Sequence, residues 1–524
     1  MASSSATTTR TDLFKVSVPW SGGQLGCHPV EQRILLALEL GDRTAQRVTL
    51  ARLRVGVAAG LVGFGLRERG LRHERAQPGV LGFLLEERAL LLGHRQLGAK
   101  PLQAVAHVDE AALEQGAGHG NGESTTERVA RSGAGCGSLL GVHAIFSPEH
   151  DELRAAVRRF VDNELRPHVD EWEAEGHFPD TVFRRCGELG FLGLHYPARW
   201  GGSDGDLAAG IVFVEELGRC GAAAIAMALS VQTDMATPAL AEFGTDDQRE
   251  RWLRPAIAGT KIGAIAITEP DAGSDVAAIT TRAEADGDVW RITGRKMFVT
   301  NGARADFLTL VAQTRPGSGH RGISVFIVDT SLPGVTVSRT LDKLGMRCSD
   351  TAEIALDGVP VPAADLIGLE PGQGFRQLMW QLQYERLAGA AACVGHAARV
   401  LEDTIGYARE RRAFGRPIAQ HQVIAHKLAD AATELEAARS LLYSTTWRVM
   451  HGEYPVAEIS MTKKFCAQVQ NRLVDACLQV YGGAGYLEEM PVARAFRDAR
   501  LQRIGGGTDE IMNEVIAKRL GITN

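Results

Sequence analysis

The stretch AIAITEPDAGSD, residues 264–275, marks the point at which the chain changes from helical to β-type patterning. An apolar run there gives way to a proline turn and a loop of small residues. Downstream, the runs FLTLVAQT, ISVFIVDT and VTVSRTL are separated by Gly, Pro, Asp and Ser, which is typical of strands joined by turns. We therefore expect residues 261–367 to form a compact, mainly antiparallel β domain.

Helical patterns flank this segment on both sides. On the N-terminal side, Ser147 can cap a helix with Pro148 at its first position. Apolar residues then recur on one helical face: Leu153, Val157, Phe160, Val161 and Leu165. On the C-terminal side, long helical patterns cover residues 375–414, 421–451 and 455–486, and a shorter pair follows. The predicted fold class is α+β, with an N-terminal helical domain at residues 146–260 and a four-helix-bundle-like C-terminal domain at residues 368–524.

The first 143 residues differ in character from the rest of the chain. They are rich in Gly and Arg, poor in aromatic residues, and follow no sustained helix or strand period. The MASSSATTTR start lacks acidic residues, but neither an Arg-rich amphipathic helix nor an apolar run with a cleavage site follows. We expect this poorly specified extension to be disordered or to result from a mis-set translation start.

Composition excludes several classes of protein. The 524 residues are 45% hydrophobic and 23% charged, as in a soluble globular protein, and the formal net charge of -6 argues against a general nucleic-acid binder. The eight cysteines show neither metal-type pairs nor dense disulfide spacing, and the histidines fall at no metal-ligand spacing, so no metal is predicted. The longest apolar stretches are too short to span a bilayer. A cytoplasmic location is predicted, because organellar targeting finds no support.

Three segments around the β domain carry residues suited to ligand binding. In residues 264–275, backbone amides and hydroxyls can approach a planar or anionic ligand closely, although a plain strand followed by a turn is the simpler interpretation of TEP alone. GRKMFVTNG at residues 294–302 supplies a strand with an aromatic residue, a Thr and a glycine turn. KLGMRCSDTAEIALDGVPVP at residues 343–362 supplies another strand.

Taken together in this order and spacing, these segments resemble the acyl-CoA dehydrogenase family. RRAFGRPIAQHQ at residues 411–422, QVYGGAGY at 479–486 and RDARLQRIGGGTDEI at 497–511 are also similar to motifs of that family. The resemblance covers about residues 146 to 522 and is greatest to the long-chain branch. It implies an FAD enzyme of fatty-acid β-oxidation, which converts an acyl-CoA thioester to the trans-2-enoyl-CoA while flavin N5 takes the β-hydride.

The resemblance also implies the residues that bind FAD. Ile267 and Thr268 would lie along the isoalloxazine edge, Ser274 would reach the pyrophosphate and the substrate, and Phe298 and Thr300 would contact the other side of the ring. The remaining cofactor residues fall into three groups. They are Arg411, Phe414 and Gln422, which would reach a neighbouring subunit's FAD; Gln479, Gly482 and Gly483, which would hold its adenosine portion; and Thr508 and Glu510, at a helix start.

The catalytic base is where the chain departs from the commoner pattern of the family. Many members place a Glu where this chain has Gly506, whereas the long-chain and isovaleryl branches place it at the position of Glu385 in YERLAG. The resemblance thus implies Glu385 as the base, with the backbone N–H of Gly506 as a donor to the enolate oxygen. Arg386 would serve CoA binding or helix packing. The alternative is a surface Glu385 paired with Arg386, as for any Glu on a helix.

Three functional hypotheses follow. The first is an acyl-CoA dehydrogenase, a homotetramer or homodimer, that passes electrons to an electron-transferring flavoprotein. The second is an acyl-CoA oxidase or flavin monooxygenase on the same fold. The third is a non-catalytic relative that binds FAD or acyl-CoA, against which Glu385 counts. Acyl-chain length stays open, because the packing around residues 229–233 and 379–383 decides the shape of the pocket.

Overall fold

A computed structural model describes residues 145–523. The predictions made for residues 1–143 lie outside the described residues. The first described helix begins as the sequence predicts: Pro148 is its first residue, and the backbone N–H of Ser147 donates to His150 Nδ1 at 3.0 Å. Val157 and Phe160 turn into the core. The N-terminal helices are α1 (Pro148–Phe160), α2 (Val169–Glu175), α3 (Thr181–Glu188), α4 (Leu207–Leu217), α5 (Ala223–Ser230), α6 (Pro238–Phe243), α7 (Asp246–Gln248) and α8 (Arg254–Ile257).

Between α5 and α6 the backbone widens into a π-helical turn over Val231–Ala236. Its side chains are buried apart from that of Met235. The carbonyl oxygen of Thr233 accepts a hydrogen bond from the Tyr196 hydroxyl at 2.7 Å. A π-helical turn alters the direction of the side chains that it carries and is often found at functional sites.

The middle of the chain forms a seven-stranded sheet, in which the strands follow the order β1-β4-β2-β3-β7-β6 and β5 pairs with β4 beside this path. The antiparallel pairs are β2 with β3, β3 with β7, β4 with β5, and β6 with β7, whereas β1 and β2 run parallel to β4. The prediction of a mainly antiparallel sheet is confirmed. The strands are β1 (Gly263–Ala266), β2 (Arg282–Asp286), β3 (Val289–Thr300), β4 (Phe307–Gln313), β5 (Ile323–Asp329), β6 (Val335–Thr340) and β7 (Thr351–Pro362).

The C-terminal region returns to helices, and two of them end earlier than the sequence pattern predicts. The first ends at Glu410 because Arg411 is extended, with ψ 125°. The third ends at Tyr481 because Gly482 adopts φ 60° and ψ -136°, a conformation open to glycine. The helices are α9 (Gly374–Glu410), α10 (Gln422–Met450), α11 (Val456–Tyr481), α12 (Pro491–Ala499) and α13 (Asp509–Arg519), and the two-residue strands β8 (Arg412–Ala413) and β9 (Arg416–Pro417) join α9 to α10.

The core connects these regions. One apolar cluster joins the N-terminal helices to the C-terminal ones and contains Val157, Leu387 and Leu473. A second fills one face of the sheet, and a third packs Trp252 and Leu378 against Phe307 of β4. This architecture confirms the predicted fold class, while the boundaries proposed between domains stay predictions. Within residues 145–523, none of the helices combines the length and the apolar character that crossing a membrane requires.

Candidate active site

Glu385 lies on the long helix α9 with only 8% of its surface exposed. Neither carboxylate oxygen forms a hydrogen bond or an ion pair within residues 145–523. Burial raises the pKa of Glu385 to about 7, the positive charges of Arg386 and Lys463 lower it only in part, and the negative charge of Asp234 raises it further. Glu385 is therefore a buried acid whose pKa is close to neutrality.

Gly506 faces this carboxylate from the loop before α13. Its φ of 65° lies in the left-handed region, and a Cβ atom at this position would lie 3.4 Å from Glu385 Oε1. The next atoms from that Cβ position belong to the Lys463 side chain, with Cε at 3.9 Å. A carboxylate on α9 thus occupies the space that a side chain at position 506 would enter.

Two cations hold the glycine loop in place through its carbonyl groups. Arg386 Nε donates to the Gly506 carbonyl oxygen at 3.3 Å, and Lys463 Nζ donates to the Gly507 carbonyl oxygen at 2.5 Å. Burial lowers the pKa of both cations from their ordinary values. The backbone N–H of Gly506 donates to no acceptor within residues 145–523, so the loop is fixed while this amide stays available to a ligand.

Ile267, Thr268 and Phe298 come together at the end of β1. Lys296 Nζ donates to the Ile267 carbonyl oxygen at 3.0 Å, and the backbone N–H of Met297 donates to the Thr268 carbonyl oxygen at 2.8 Å. A register shift between β3 and β7 in this stretch gives Phe298 a φ of 57° and leaves 63% of its surface exposed. An aromatic ring is thus presented outward next to Thr268.

The other predicted cofactor residues lie at chain turns. Thr508 caps α13, because its hydroxyl accepts from the Ile511 backbone N–H at 3.3 Å, and Glu510 in the first turn is exposed. Thr300 ends β3, and Ser274 is exposed in the loop after β1. Thr508 is therefore two residues from Gly506 along the chain.

A second group lies at the far ends of the long helices. Tyr407 of α9 and Tyr481 of α11 stack with ring centroids 4.2 Å apart, which brings these two helix ends together. No hydrogen bond within the described part of the chain joins the group to Glu385 or to Thr268. Its members are exposed: Arg411, Phe414, Gln422, Gln479, Gly482 and Gly483.

The sequence did not identify Asp234 or Lys463 as neighbours of Glu385. Asp234 lies in the π-helical turn, 8% exposed, and burial raises its pKa to about 7. The sequence did contain a signal for Asp234, because it is the one charged residue between Arg219 and Glu242. Lys463 gave no such signal, because it lies in a helix with other charged residues. Residues 145–523 contain no cluster of His, Cys, Asp and Glu suited to a metal ion.

Comparison with known proteins agrees with this architecture. Family models match residues 147–260 (acyl-CoA dehydrogenase, N-terminal domain), 264–359 (middle domain) and 372–521 (C-terminal domain). The long-chain specific mitochondrial acyl-CoA dehydrogenase of Sus scrofa is 37% identical over 77% of this chain and 93% of its own length.

Solved structures give the same result. A probable acyl-CoA dehydrogenase from Mycobacterium abscessus matches with a TM-score of 0.70 and 41% identity, over 72% of this chain and all of that one. The FAD complex of PigA matches with a TM-score of 0.70 and 26% identity, over 72% of this chain and 98% of that one. Three consecutive domains of one flavoenzyme class are therefore present. The chain belongs to the acyl-CoA dehydrogenase family, and the prediction of an oxidoreductase of this family is confirmed.

Proposed function

We propose that this protein oxidises an acyl-CoA thioester to the trans-2-enoyl-CoA, with Glu385 as the base that removes the α-proton. One observation carries the proposal. The carboxylate of Glu385 lies 3.4 Å from the position of a Cβ on Gly506, and within residues 145–523 neither that carboxylate nor the Gly506 backbone N–H has a hydrogen-bond partner. A free base and a free donor beside each other match what deprotonation next to a thioester carbonyl requires.

FAD is the cofactor, and the residues present fit it. The Phe298 ring is exposed beside Thr268, and the hydroxyls of Thr268 and Thr300 form no hydrogen bond within residues 145–523. At the end of α11, a Cβ on Gly482 or Gly483 would meet no atom within 4 Å, so backbone there is open to a ligand. When bound, FAD supplies the acceptor for the hydride that leaves the β-carbon.

FAD would be held by the residues that the family resemblance assigned. Ile267, Thr268, Phe298 and Thr300 would contact the ring system, while Ser274 would contact the pyrophosphate and the substrate. The residues proposed for the rest of the cofactor are Arg411, Phe414, Gln422, Gln479, Gly482, Gly483, Thr508 and Glu510. Among these, Arg411, Phe414 and Gln422 would contact the FAD of a neighbouring subunit.

The protonation state of Glu385 suits its role. A general base is most effective when its pKa lies near the working pH, and burial raises the pKa of Glu385 to about 7. Arg386 and Lys463 limit this rise because their charges favour the carboxylate. Both also hold loop carbonyls, so they position the base and the Gly506 loop relative to each other.

The amide of Gly506 completes the site. As the α-proton leaves, negative charge develops on the thioester oxygen, and a fixed N–H donor stabilises it without reorganisation. Arg386 Nε donates to the Gly506 carbonyl oxygen and so helps to hold the loop that carries this N–H. The positive φ of Gly506 would strain any other residue in this conformation.

The proposal also covers the oligomeric state of the protein and the acceptor of its electrons. Phe414 is 96% exposed and Tyr486 is 88% exposed, and aromatic side chains left open to this extent favour burial against another subunit. We propose a homotetramer that passes electrons to an electron-transferring flavoprotein in fatty-acid β-oxidation. A cytoplasmic compartment stays a prediction.

The test is anaerobic reduction of the bound flavin by acyl-CoA thioesters of graded length and branching. The wild-type protein should lose its yellow colour with at least one of them. Glu385→Gln should bind FAD and remain yellow, while Glu402→Gln, an exposed position on the same helix, should react like the wild type. Full activity of Glu385→Gln would refute the role of this residue, and a wild type that no thioester bleaches would refute the activity. Repeating the reaction with oxygen detects peroxide, the product of an oxidase.

A further inference from the structure

An open groove lies beside the first turns of α9, and four separate parts of the chain form its walls. They are the end of α6, the connection between β4 and β5, the start of α9, and the connection between α10 and α11. The volume of this α9 groove is about 610 Å³, which is within the usual range for ligand sites. Five aromatic side chains and one arginine dominate its lining: Phe243, His320, Phe375, Arg376, Trp380 and Tyr454. Such a lining is suited to a ligand that is both flat and anionic.

The aromatic rings of the α9 groove hold one another in place across its walls. The ring centroids of His320 and Phe375 are 5.4 Å apart, and those of Phe243 and Trp380 are 5.3 Å apart. Phe243, Phe375 and Trp380 are half-buried, so part of each ring stays open to the groove. Aromatic side chains that are already fixed can stack on a flat heterocycle with little further loss of entropy.

Arg376 supplies a positive charge that the protein itself does not neutralise. Its Cζ lies 5.4 Å from the centroid of the Phe243 ring, and its guanidinium forms no hydrogen bond or ion pair within residues 145–523. By contrast, Arg399 on the same helix pairs with Asp403 at 2.7 Å. An arginine that packs on a ring keeps its N–H edges available, and these edges match the oxygens of a phosphate group. Glu242 also lines the groove, where its carboxylate can accept from an amino or hydroxyl group of a nucleoside.

The α9 groove and the candidate active site lie along one face of the same helix. Met379, in the groove wall, and Arg386 are seven residues apart, which places them on one face about 10 Å apart along the axis. Arg386 Nε donates to the Gly506 carbonyl oxygen at 3.3 Å. On the other side, the Tyr454 hydroxyl donates to the Met379 carbonyl oxygen at 3.5 Å and holds the outer wall against α9. A substrate that reacts beside Gly506 can therefore extend its distant end into the groove.

We propose that Arg376 and the rings of the α9 groove select the carrier of the acyl group by its nucleotide, with the rings stacked on the base and Arg376 bound to a phosphate. This inference rests on the proposed function and names the residues that decide which thioester is accepted. CoA ends in an adenine nucleotide, whereas the phosphopantetheine arm of a carrier protein has no base. The far end of an acyl chain fits the groove less well, because it can neither accept from Arg376 nor donate to Glu242.

The size of the expected selectivity follows from these contacts. A hydrogen bond between two charged groups contributes enough to binding that its loss should weaken affinity about tenfold. A ring stacked on a base contributes a further factor of about five or more. Because Arg376 is exposed, its contribution should decrease as the salt concentration rises. Both contributions should appear mainly in KM, since the nucleotide takes no part in the chemical step.

The kinetic experiment compares the CoA thioester and the pantetheine thioester of one acyl group, since pantetheine lacks the nucleotide and its phosphates. Arg376→Gln should raise KM for the CoA thioester about tenfold and leave the values for the pantetheine thioester unchanged. His320→Ala, at another exposed position of the groove, should raise KM for the CoA thioester several-fold. Arg399→Gln removes the same charge elsewhere on α9 and should behave like the wild type with both. An Arg376→Gln variant that treats both thioesters as the wild type does overturns the inference, as does one that loses equally with both.

Binding measurements separate this inference from the proposed function. Calorimetric titration of CoA into the FAD-loaded protein should show about tenfold weaker binding to Arg376→Gln than to the wild type. If the wild type oxidises no thioester, the activity fails, and the affinity of CoA for these two proteins still decides the role of Arg376. Equal affinities overturn the inference even when oxidation is observed. ADP tests whether the groove serves a separate nucleotide instead: it should bind more weakly than CoA and compete with it, and tighter binding of ADP overturns the inference.

Discussion

Two buried glutamates of this protein show opposite behaviour. Glu269, at the end of β1, is 4% exposed and bonds to Lys296 Nζ at 2.8 Å and to the backbone N–H groups of Thr280 and Thr281 at 2.6 Å and 3.0 Å. Burial alone would raise its pKa, but the Lys296 charge and these bonds lower it to about 2. Glu385 has a similar degree of burial but no such donor among residues 145–523, and its pKa rises to about 7.

This difference shows that burial alone does not set the pKa of a glutamate, because the donors and charges around it decide the direction of the shift. Lys296 also bonds to the Ile267 carbonyl oxygen, so the Glu269 pair fixes the strand end that is proposed to contact the flavin. That carboxylate stays ionised and fixed. Glu385 has no donor in the described part of the chain, and a pKa of about 7 allows it to exchange a proton near neutral pH. Glu269 is held by hydrogen bonds and an ion pair, whereas Glu385 is the proposed base.

The largest expected effect comes from moving the reactive glutamate. Glu385→Gly should lower kcat for acyl-CoA oxidation by about 100- to 10,000-fold, the usual range for a lost general base. The double variant Glu385→Gly with Gly506→Glu should regain part of the activity, because both side chains enter one space. The regain should be incomplete, since position 506 has a positive φ. Anaerobic stopped-flow reduction of the flavin measures both rates, and equal rates for the single and double variants would contradict a shared site.

Breaking the ion pair between Lys296 and Glu269 should lower the stability of the fold. Lys296→Met leaves Glu269 buried without its cation, which should cost about 3–5 kcal/mol. The thermal midpoint should fall clearly, and FAD affinity should fall with it because the Ile267 carbonyl loses its donor. Adding Glu269→Gln to Lys296→Met should recover much of the loss, since no charge is then buried. A thermal melt followed by circular dichroism tests this, and an unchanged midpoint in the single variant would show that the pair contributes little.

The pH dependence of activity should follow the deprotonation of Glu385, the proposed base. Glu385 acts when deprotonated, so kcat/KM should rise as the pH increases through about 7 and then level off. The groups that act on its pKa are Arg386, Lys463 and Asp234. Asp234→Asn removes the negative charge that raises the pKa of Glu385, and the midpoint should therefore move to lower pH. Asp151→Asn, on the surface, should leave the profile in place. A midpoint that stays the same in Asp234→Asn would mean that the two carboxyl groups do not interact.

The smallest effect is expected at the glycine opposite the base. Gly506→Ala places a Cβ in the left-handed region and 3.4 Å from Glu385 Oε1, which should lower stability by about 1 kcal/mol and reduce kcat/KM several-fold. Gly505→Ala is the matched control, because Gly505 has no positive φ and its nearest atom would be 3.9 Å away. Differential scanning calorimetry on the two variants provides the comparison. Equal destabilisation by both variants would contradict a specific requirement for glycine at position 506.

The sequence predicted the fold well because its signals are local. Ser147 with Pro148 started a helix, and the apolar runs between turn residues became β4, β5 and β6. Helix ends were less certain: the pattern carried two helices on to Phe414 and Tyr486, but the backbone changes at Arg411 and Gly482. A periodic pattern of side chains does not record where hydrogen bonding stops.

The site could be predicted only in part. Glu385 and Gly506 were recognised through family motifs, and they do lie opposite each other. Their other neighbours come from distant parts of the chain, as the bond from Arg386 to Gly506 across 120 positions illustrates. Asp234 enters the site through the π-helical turn and Lys463 through α11, and no spacing in the sequence relates either of them to Glu385. Pairings of this kind arise from packing.

The contact between Gly506 and Glu385 also limits how such a site can change during evolution. Since a single space would hold the proposed base, a chain that gains Glu at position 506 first must place two carboxyl groups together, where they would compete for one proton. A chain that loses Glu385 first would lack the proposed base. Each route from one arrangement to the other therefore passes through an impaired enzyme, which would keep a lineage in the arrangement that it already has.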